Sequence, residues 1–301
     1  MKKVLIAILL LGLLPHASAD YIHWVDFRLS APVLRSALEL DMASQGGEQP
    51  LDWIDILALA AAWRGGTGVT VADTQRAAQA LRGDTPPERL PGMAGRCFSY
   101  YRAAYGAALG GLVGHFAIRR TDPQTGEAEW IPAYGLKAFS PIAAGYPWSH
   151  YPDFGAQRSY GYARPHLGND ILGALGTPIC AVEGGTVEAL GWNRYGGWRI
   201  GIRSDDRKRY YYYAHLRKDT PYAEGLAVGQ RVQAGDVIGF MGRTGYSAQE
   251  NVNNIETVHL HFGLQLIFDE SQKECDSEIW IDVYPVIELL ASHCSSVARD
   301  P

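Results

Sequence analysis

The sequence predicts an α+β protein with a small helical N-terminal domain followed by a mainly antiparallel β domain of barrel-sandwich hybrid type. Apolar residues recur at helical spacing between about residues 30 and 118. After residue 166 the pattern changes to short β-branched and aromatic runs separated by glycine or charged turns, which is typical of strands. The stretch 135–165 between them is rich in Gly, Pro, Ser and Tyr and is predicted to be a connection.

The first 19 residues predict a secretory signal peptide. Two lysines precede an apolar run from Val4 to Leu14, and Ala17-Ser18-Ala19 resembles a cleavage site. The apolar run is shorter than the roughly 20 residues that cross a bilayer, and no cysteine follows it for lipid attachment. We therefore expect cleavage after Ala19, no stable membrane insertion afterwards, and a secreted, periplasmic or cell-wall location.

The charge balance excludes one class of partner. The chain carries 27 Lys and Arg against 32 Asp and Glu. Removal of Lys2 and Lys3 with the signal leaves 25 − 32, a formal charge of −7. Such an acidic protein is not expected to bind nucleic acid.

Four cysteines allow three disulfide pairings in an oxidising compartment. They are Cys97, Cys180, Cys275 and Cys294. We predict the pair Cys275–Cys294. No two cysteines have the short spacing with which thiolates bind zinc.

Residues 20–118 are predicted to form the helical domain and residues 119–154 a hairpin and bridging segment. Four helices are predicted. The first starts at Ser30 and ends at Gly46-Gly47, and the second runs over 51–64 before Gly65-Gly66. The third starts at a Thr70/Asp73 capping pair and ends at 81, and the fourth runs over 98–116. The hairpin covers 117–131.

Residues 155–295 are predicted to form the β domain. Its expected strands are 178–183, 186–192, 198–204, 208–216, 226–239 and 258–267.

The strand 258–267 carries a pair of histidines. Apolar and polar or small residues alternate along it, so Leu260 and Phe262 face the core while His259 and His261 face the other side together. Two imidazoles on one strand face can serve a single site.

A second candidate segment is His166-Leu167-Gly168-Asn169-Asp170. In an extended strand its histidine and aspartate would be about 13 Å apart at their roots. The chain must therefore curl if both side chains bind one ion, and Gly168 makes such a curl easy.

A third segment, Tyr210 to Leu216, contributes another imidazole. Strand alternation predicts that Tyr211, Tyr213 and His215 share one face. The two tyrosines either pack across strands or line a substrate cleft as binding residues.

Taken together, these segments match a metal site of the catalytic kind. Two imidazoles and one carboxylate give three protein ligands, and a fourth tetrahedral position stays open, as catalytic zinc requires. A structural zinc site uses four protein ligands.

The three motifs, in this order, resemble the lysostaphin-type zinc endopeptidases. The resemblance includes the Ala214-His215-Leu216 context and Gly242-Arg243-Thr244-Gly245, and it covers roughly residues 155–270. It implies that one Zn²⁺ per chain is bound by His166, Asp170 and His261, with His215 and His259 as catalytic histidines. It also implies peptidoglycan stem peptides or cross-bridges as substrate, cut next to glycine or D-alanine.

The connection 248–257 is longer than is usual in this family, which leaves the bond preference open. Two rival interpretations remain: a catalytically silent wall-binding module or hydrolase activator, and a zinc protease of exported proteins. The helical domain is either a structural extension or a targeting or inhibitory domain. The second alternative is suggested by the bridge, which ends immediately before His166 and is placed to lie over the groove. Protein partners cannot be named from the sequence.

Overall fold

The computed structural model describes residues 21–121, 124–273 and 277–296. The predicted signal peptide, residues 1–19, and Cys275 lie outside these residues, so export stays a prediction. Cys97, Cys180 and Cys294 carry free thiols, which contradicts the predicted Cys275–Cys294 pair.

The N-terminal region is helical, as the sequence predicts. Within the described residues the α-helices are α1 (Ala31–Ser44), α2 (Trp53–Arg64), α3 (Val71–Leu81), α4 (Met93–Leu109) and α5 (Tyr284–Leu290). The predicted capping box of α3 is present, because Thr70 and Asp73 each accept from the backbone N–H of the other. Helix α2 is apolar almost all round and is correspondingly buried. No helix in the described ranges is long and apolar enough to cross a membrane.

The predicted fourth helix, 98–116, was wrong at both ends. Helix α4 begins earlier and ends at Leu109, and a strand begins at Val113. The buried guanidinium of Arg209 donates to the carbonyl oxygens of Gly106 (3.3 Å) and Ala107 (2.7 Å). The bond to Ala107 satisfies a carbonyl at the end of the helix, whereas the Gly106 carbonyl also accepts from the Gly110 N–H at 3.0 Å.

Two short 3₁₀ helices, Pro87–Arg89 and Glu270–Gln272, also occur, and the strands of the described residues pair antiparallel. They are β1 (Val113–Thr121), β2 (Ala128–Leu136), β3 (Trp148–His150), β4 (Gln157–Arg158), β5 (Arg164–Pro165), β6 (Asn169–Gly173), β7 (Pro178–Cys180), β8 (Gly185–Asn193), β9 (Gly197–Ser204), β10 (Arg209–Ala214), β11 (Arg231–Val232), β12 (Val237–Phe240), β13 (His259–Leu266) and β14 (Ile279–Trp280). The predicted hairpin is the β1–β2 pair and is longer than expected.

The main sheet has the order β11-β8-β9-β10-β13-β6-β3, with β14 also paired to β13. The predicted fold class, helices followed by a mainly antiparallel sheet, is confirmed. The sheet is open, with β11 and β3 at its edges, and does not close into a barrel within the described residues. The single strand predicted over 226–239 is instead two strands, because the chain turns at Gly235 (φ +88°) between β11 and β12.

Helices and sheet share one hydrophobic core. Buried apolar residues of α1 to α4, of the main sheet and of α5 form one contiguous cluster, and α1 packs against α5. The strands that carry the candidate site therefore pack on a core to which both the helices and the sheet contribute.

Candidate metal centre

Three predicted ligands converge beside the paired strands β6 and β13 of the main sheet. Their ligand atoms all lie within 4.8 Å of one another. His166 Nε2 is 2.7 Å from His261 Nδ1 and 3.0 Å from Asp170 Oδ1. His261 Nδ1 is 3.1 Å from the same carboxylate oxygen. No other group of three or more such residues was found in the described part of the chain.

The backbone produces this convergence in two ways. Strands β6 and β13 pair so that Asp170 lies directly opposite His261. The chain curls between β5 and β6, as predicted, and brings His166 beside Asp170. A Cβ on Gly168 would lie 2.7 Å from both Cε1 and Nε2 of His261 and from the Phe262 carbonyl oxygen, so the curl has no room for a side chain there.

Two residues that the sequence did not identify hold the ligands in place. His166 Nδ1 lies 3.1 Å from the Asp153 carbonyl oxygen and 3.2 Å from its carboxylate. Arg158 Nη2 donates to Asp170 Oδ2 at 2.8 Å and to Asp153 Oδ2 at 3.0 Å. A metal-binding histidine usually donates the N–H of its other ring nitrogen to a carbonyl or carboxylate, as His166 Nδ1 does to Asp153, and this bond orients the ring. Nothing in the local sequence marks either residue, because both act through the folded chain.

The electrostatics of the cluster favour positive charge at its centre. Burial opposes ionisation of Asp170, but hydrogen bonds from His166 and His261 hold the pKa of this carboxyl well below its usual range. Burial likewise disfavours charge on His166, but its hydrogen bonds to Asp153 and Asp170 raise its pKa to about 9. These are the conditions under which a cation is held.

The two predicted catalytic histidines lie next to this cluster. The His215 ring centroid is 4.8 Å from that of His259 and 5.9 Å from that of His261. His215 Nδ1 donates to the Thr244 carbonyl oxygen at 2.9 Å, and His259 Nδ1 donates to the Thr257 carbonyl oxygen at 2.9 Å. Each ring therefore keeps Nε2 available, and His259 Nε2 is 3.7 Å from Asp170 Oδ1.

His215 is held neutral. Burial, and then the neighbouring imidazole of His259, place the pKa of His215 well below its usual range. With Nδ1 donating to a carbonyl, the neutral ring presents the lone pair of Nε2 as a proton acceptor.

The donor set fits zinc. Two imidazole nitrogens and one carboxylate oxygen, mutually 2.7–3.1 Å apart, need to move apart by only about half an ångström to surround an ion tetrahedrally with bonds of about 2.0–2.2 Å. Three protein ligands leave a position free on the side of the cleft.

The prediction that Tyr211 and Tyr213 line the substrate cleft was wrong. Both are buried; Tyr211 donates to Glu183 at 2.6 Å and Tyr213 accepts from the backbone N–H of Val182 at 3.0 Å. They do not share a face with His215 either, because His215 has a left-handed backbone (φ +61°) that breaks the alternation. Tyr212 faces the cleft instead.

The cleft itself has a volume of about 150 Å³. Its wall opposite the ligands is aromatic and cationic. Tyr160 stacks on Tyr246 with ring centroids 4.6 Å apart, and the Arg164 guanidinium lies 4.5 Å from the ring centre of Tyr195. The segment 157–165 therefore forms part of the cleft, as the sequence suggested for the end of the bridge.

Comparison with known proteins agrees with this geometry. Residues 164–274 match the model of peptidase family M23. These residues form a lysostaphin-type peptidase M23 domain. The match includes all three predicted ligands and both predicted catalytic histidines.

Two named relatives share this domain. The chain is 35% identical to the L-Ala–D-Glu endopeptidase of Bacillus subtilis over 177 residues, which cover 56% of this chain and 52% of the relative. It is 38% identical to the glycyl-glycine endopeptidase ALE-1 of Staphylococcus capitis over 98 residues, 32% of this chain and 24% of the relative. The chain thus spans about half the length of the first relative and a quarter of the second.

One solved structure matches nearly the whole chain. It is a protein from Ruminococcus gnavus named as a candidate glycyl-glycine endopeptidase LytM, and the match covers 91% of this chain and 94% of that one with a TM-score of 0.53. At 24% identity this likeness shows the fold, including the helical N-terminal region.

Proposed function

We propose that the protein is an exported zinc-dependent endopeptidase that hydrolyses peptide bonds in peptidoglycan stem peptides or cross-bridges. The observation that supports this most directly is the complete set of groups around one point: three ligands, two imidazoles with Nε2 available, and an open cleft. The names of the relatives describe endopeptidases, which agrees with this reaction.

The residues of the chain divide the work. His166, Asp170 and His261 would hold Zn²⁺, which when bound polarises a carbonyl and lowers the pKa of water towards about 7. His215, neutral and with its free Nε2 at the cleft, accepts the proton from the attacking water. His259, whose Nε2 lies 3.7 Å from Asp170 Oδ1, stabilises the negative oxygen that forms on the attacked carbonyl.

The supporting residues act before any chemistry occurs. Asp153 fixes the ring of His166 through Nδ1, and Arg158 holds the second oxygen of Asp170. Both contacts reduce the side-chain rearrangement that zinc binding requires.

The test compares the chain from residue 20 onwards with its His261→Ala variant. We expect about one zinc per chain by elemental analysis and new peptide termini when purified peptidoglycan is digested, both lost in the variant. Mass spectrometry of the released peptides identifies the bond.

Other outcomes would replace this proposal. Zinc binding with cleavage of casein but not of any peptidoglycan would indicate a protease of exported proteins. A protein that binds peptidoglycan without zinc would be a silent wall-binding module. Export is tested separately, by N-terminal sequencing of the protein recovered outside the cytoplasm, which should begin at Asp20.

A further inference from the structure

A second cavity, with a volume of about 220 Å³, adjoins the metal cleft. The two share Leu167, Tyr212 and His261 as lining residues. A substrate residue next to the bond at the metal centre can therefore place its side chain in this second cavity. Trp280 forms an aromatic wall, with its ring edge-on to Tyr212 at a centroid distance of 6.1 Å.

The cavity contains one cation that lacks a partner. Arg199, on β9, makes no ion pair and no side-chain hydrogen bond with any residue that the structure describes, and its Nε atom is buried without an acceptor. Most buried N–H groups have an acceptor, because leaving one unpaired costs about 1–3 kcal/mol. An unpaired guanidinium at a cavity wall therefore indicates a group that is supplied from outside.

The other charged residues of the cavity are already paired. Lys273 Nζ forms an ion pair with Glu188 and lies 5.2 Å from the ring centre of Tyr210. Glu278 accepts from Trp280 Nε1 at 2.7 Å. Among the described residues, Arg199 is thus the only one of these charged side chains with neither an ion pair nor a side-chain hydrogen bond, whereas Glu278 has a hydrogen bond but no ion pair.

Tyr212, which lines both this cavity and the metal cleft, offers a second hydrogen-bond donor. The Tyr212 hydroxyl accepts from Asn193 Nδ2 at 3.0 Å, and its own proton has no acceptor among the described residues. Burial raises the pKa of this hydroxyl, so it stays protonated and can donate. A guanidinium and a hydroxyl donor together suit a carboxylate, which Arg can bind through two parallel hydrogen bonds.

We propose that this cavity binds the free carboxylate of a substrate residue adjacent to the cleaved bond, with Arg199 as the specificity-determining residue. The inference rests on the proposed peptidase function and deepens it, because it names the chemistry of a residue that the enzyme selects. One unpaired positive charge, with Glu278 nearby, suits a single carboxylate better than a doubly charged phosphate.

The experiment uses two peptides that contain the bond identified by mass spectrometry and differ only in a carboxylate or a carboxamide on the neighbouring residue. We expect the wild-type protein to prefer the carboxylate by about 10- to 100-fold in kcat/KM, mainly through KM, as is usual for one charge-assisted contact. In Arg199→Gln the preference should fall to about one. The control Arg231→Gln, which removes an exposed arginine paired with Asp205, should keep the wild-type preference.

A binding measurement separates failure of this inference from failure of the proposed function. N-acetylglutamate amide, but not its glutamine analogue, should shift the NMR signal of the Trp280 indole in the wild-type protein and not in Arg199→Gln. This shift is expected even in a preparation that cleaves no peptide. Equal cleavage of both peptides by the wild-type protein, or shifts of equal size with both ligands, would overturn the proposal.

The variants also need a folding control. If Arg199→Gln fails to fold, Arg199→Lys retains the charge but not the paired hydrogen bonds, and its preference should lie between wild type and one. An undiminished preference in that variant, with its thermal unfolding unchanged, would also contradict the assignment.

Discussion

The helical region and the metal centre are built by different kinds of contact. In the helices the decisive partners are close in sequence: Thr70 and Asp73 cap α3, and Asp52 accepts from the N–H of Ile54 to begin α2. In the metal centre, His261 meets residues 91 and 95 positions earlier in the chain. The first region depends on local pattern and the second on sheet register, so substitutions should separate stability from metal binding.

The largest effect is expected where the two regions meet. Arg209 is 1% exposed and pairs with Glu183 at 2.7 Å while it binds the last turn of α4. Arg209→Met should lower the free energy of unfolding by about 3–5 kcal/mol, because it leaves the Glu183 carboxylate without its ion pair and the Ala107 carbonyl oxygen without its donor. Urea denaturation measures this, and the zinc content of the folded fraction should not change.

The matched control is Arg231→Met, whose exposed ion pair with Asp205 should contribute less than about 1 kcal/mol. If the two variants lose similar stability, Arg209 does not join the helices to the sheet as described.

The next effect concerns ligand positioning. Arg158→Gln removes the donor to Asp170 Oδ2 and to Asp153. Zinc affinity should fall by about 10- to 100-fold, as is typical when a residue that orients a metal ligand is lost. Competition with a chromogenic chelator measures it, with Arg231→Gln as the control. Unchanged affinity would show that Asp170 needs no such support.

A pair of conservative variants tests the two faces of β10. Tyr213→Phe removes a buried hydroxyl that accepts from the Val182 N–H and should cost about 1–3 kcal/mol of stability with kcat/KM unchanged. Tyr212→Phe removes a hydroxyl at the cleft and should instead raise KM. Measuring both quantities for both variants decides the assignment; a Tyr213 variant with normal stability and raised KM would return that residue to the cleft.

The smallest effect lies in the helical region alone. Thr70→Ala removes the cap of α3 and should lower stability by about 1 kcal/mol without altering zinc affinity or turnover. Thermal unfolding and a standard peptidoglycan digestion are sufficient measurements. A loss of zinc in this variant would mean that the helices control the metal centre directly.

The sequence predicted what is encoded by spacing. The end of α2 at Gly65, the capping box of α3, the strand face shared by His259 and His261, and the curl at Gly168 all follow from the conformational preferences of a few neighbouring residues. The fold class followed from the change of period along the chain. The roles of the ligands and of the two additional histidines are still proposals, although the structure places all five side chains together.

The parts that the sequence did not predict depend on distant contacts. The end of α4 is set by Arg209, a hundred residues further on, and by the pairing of β1 with β2. Asp153 and Arg158 become recognisable only when the chain before His166 folds against β6. Arg199 has no motif around it, and its importance comes from a cavity that several strands enclose.

The left-handed conformation of His215 has a consequence for anyone who transplants this centre into another scaffold. One backbone torsion angle, φ +61°, decides whether its imidazole meets the cluster or enters the hydrophobic core. A design that copies the five side chains onto a regular strand would send this ring to the wrong side. Such a design must therefore also include two backbone acceptors. The Thr244 carbonyl accepts from His215 Nδ1, and the Gly196 carbonyl accepts from the His215 backbone N–H.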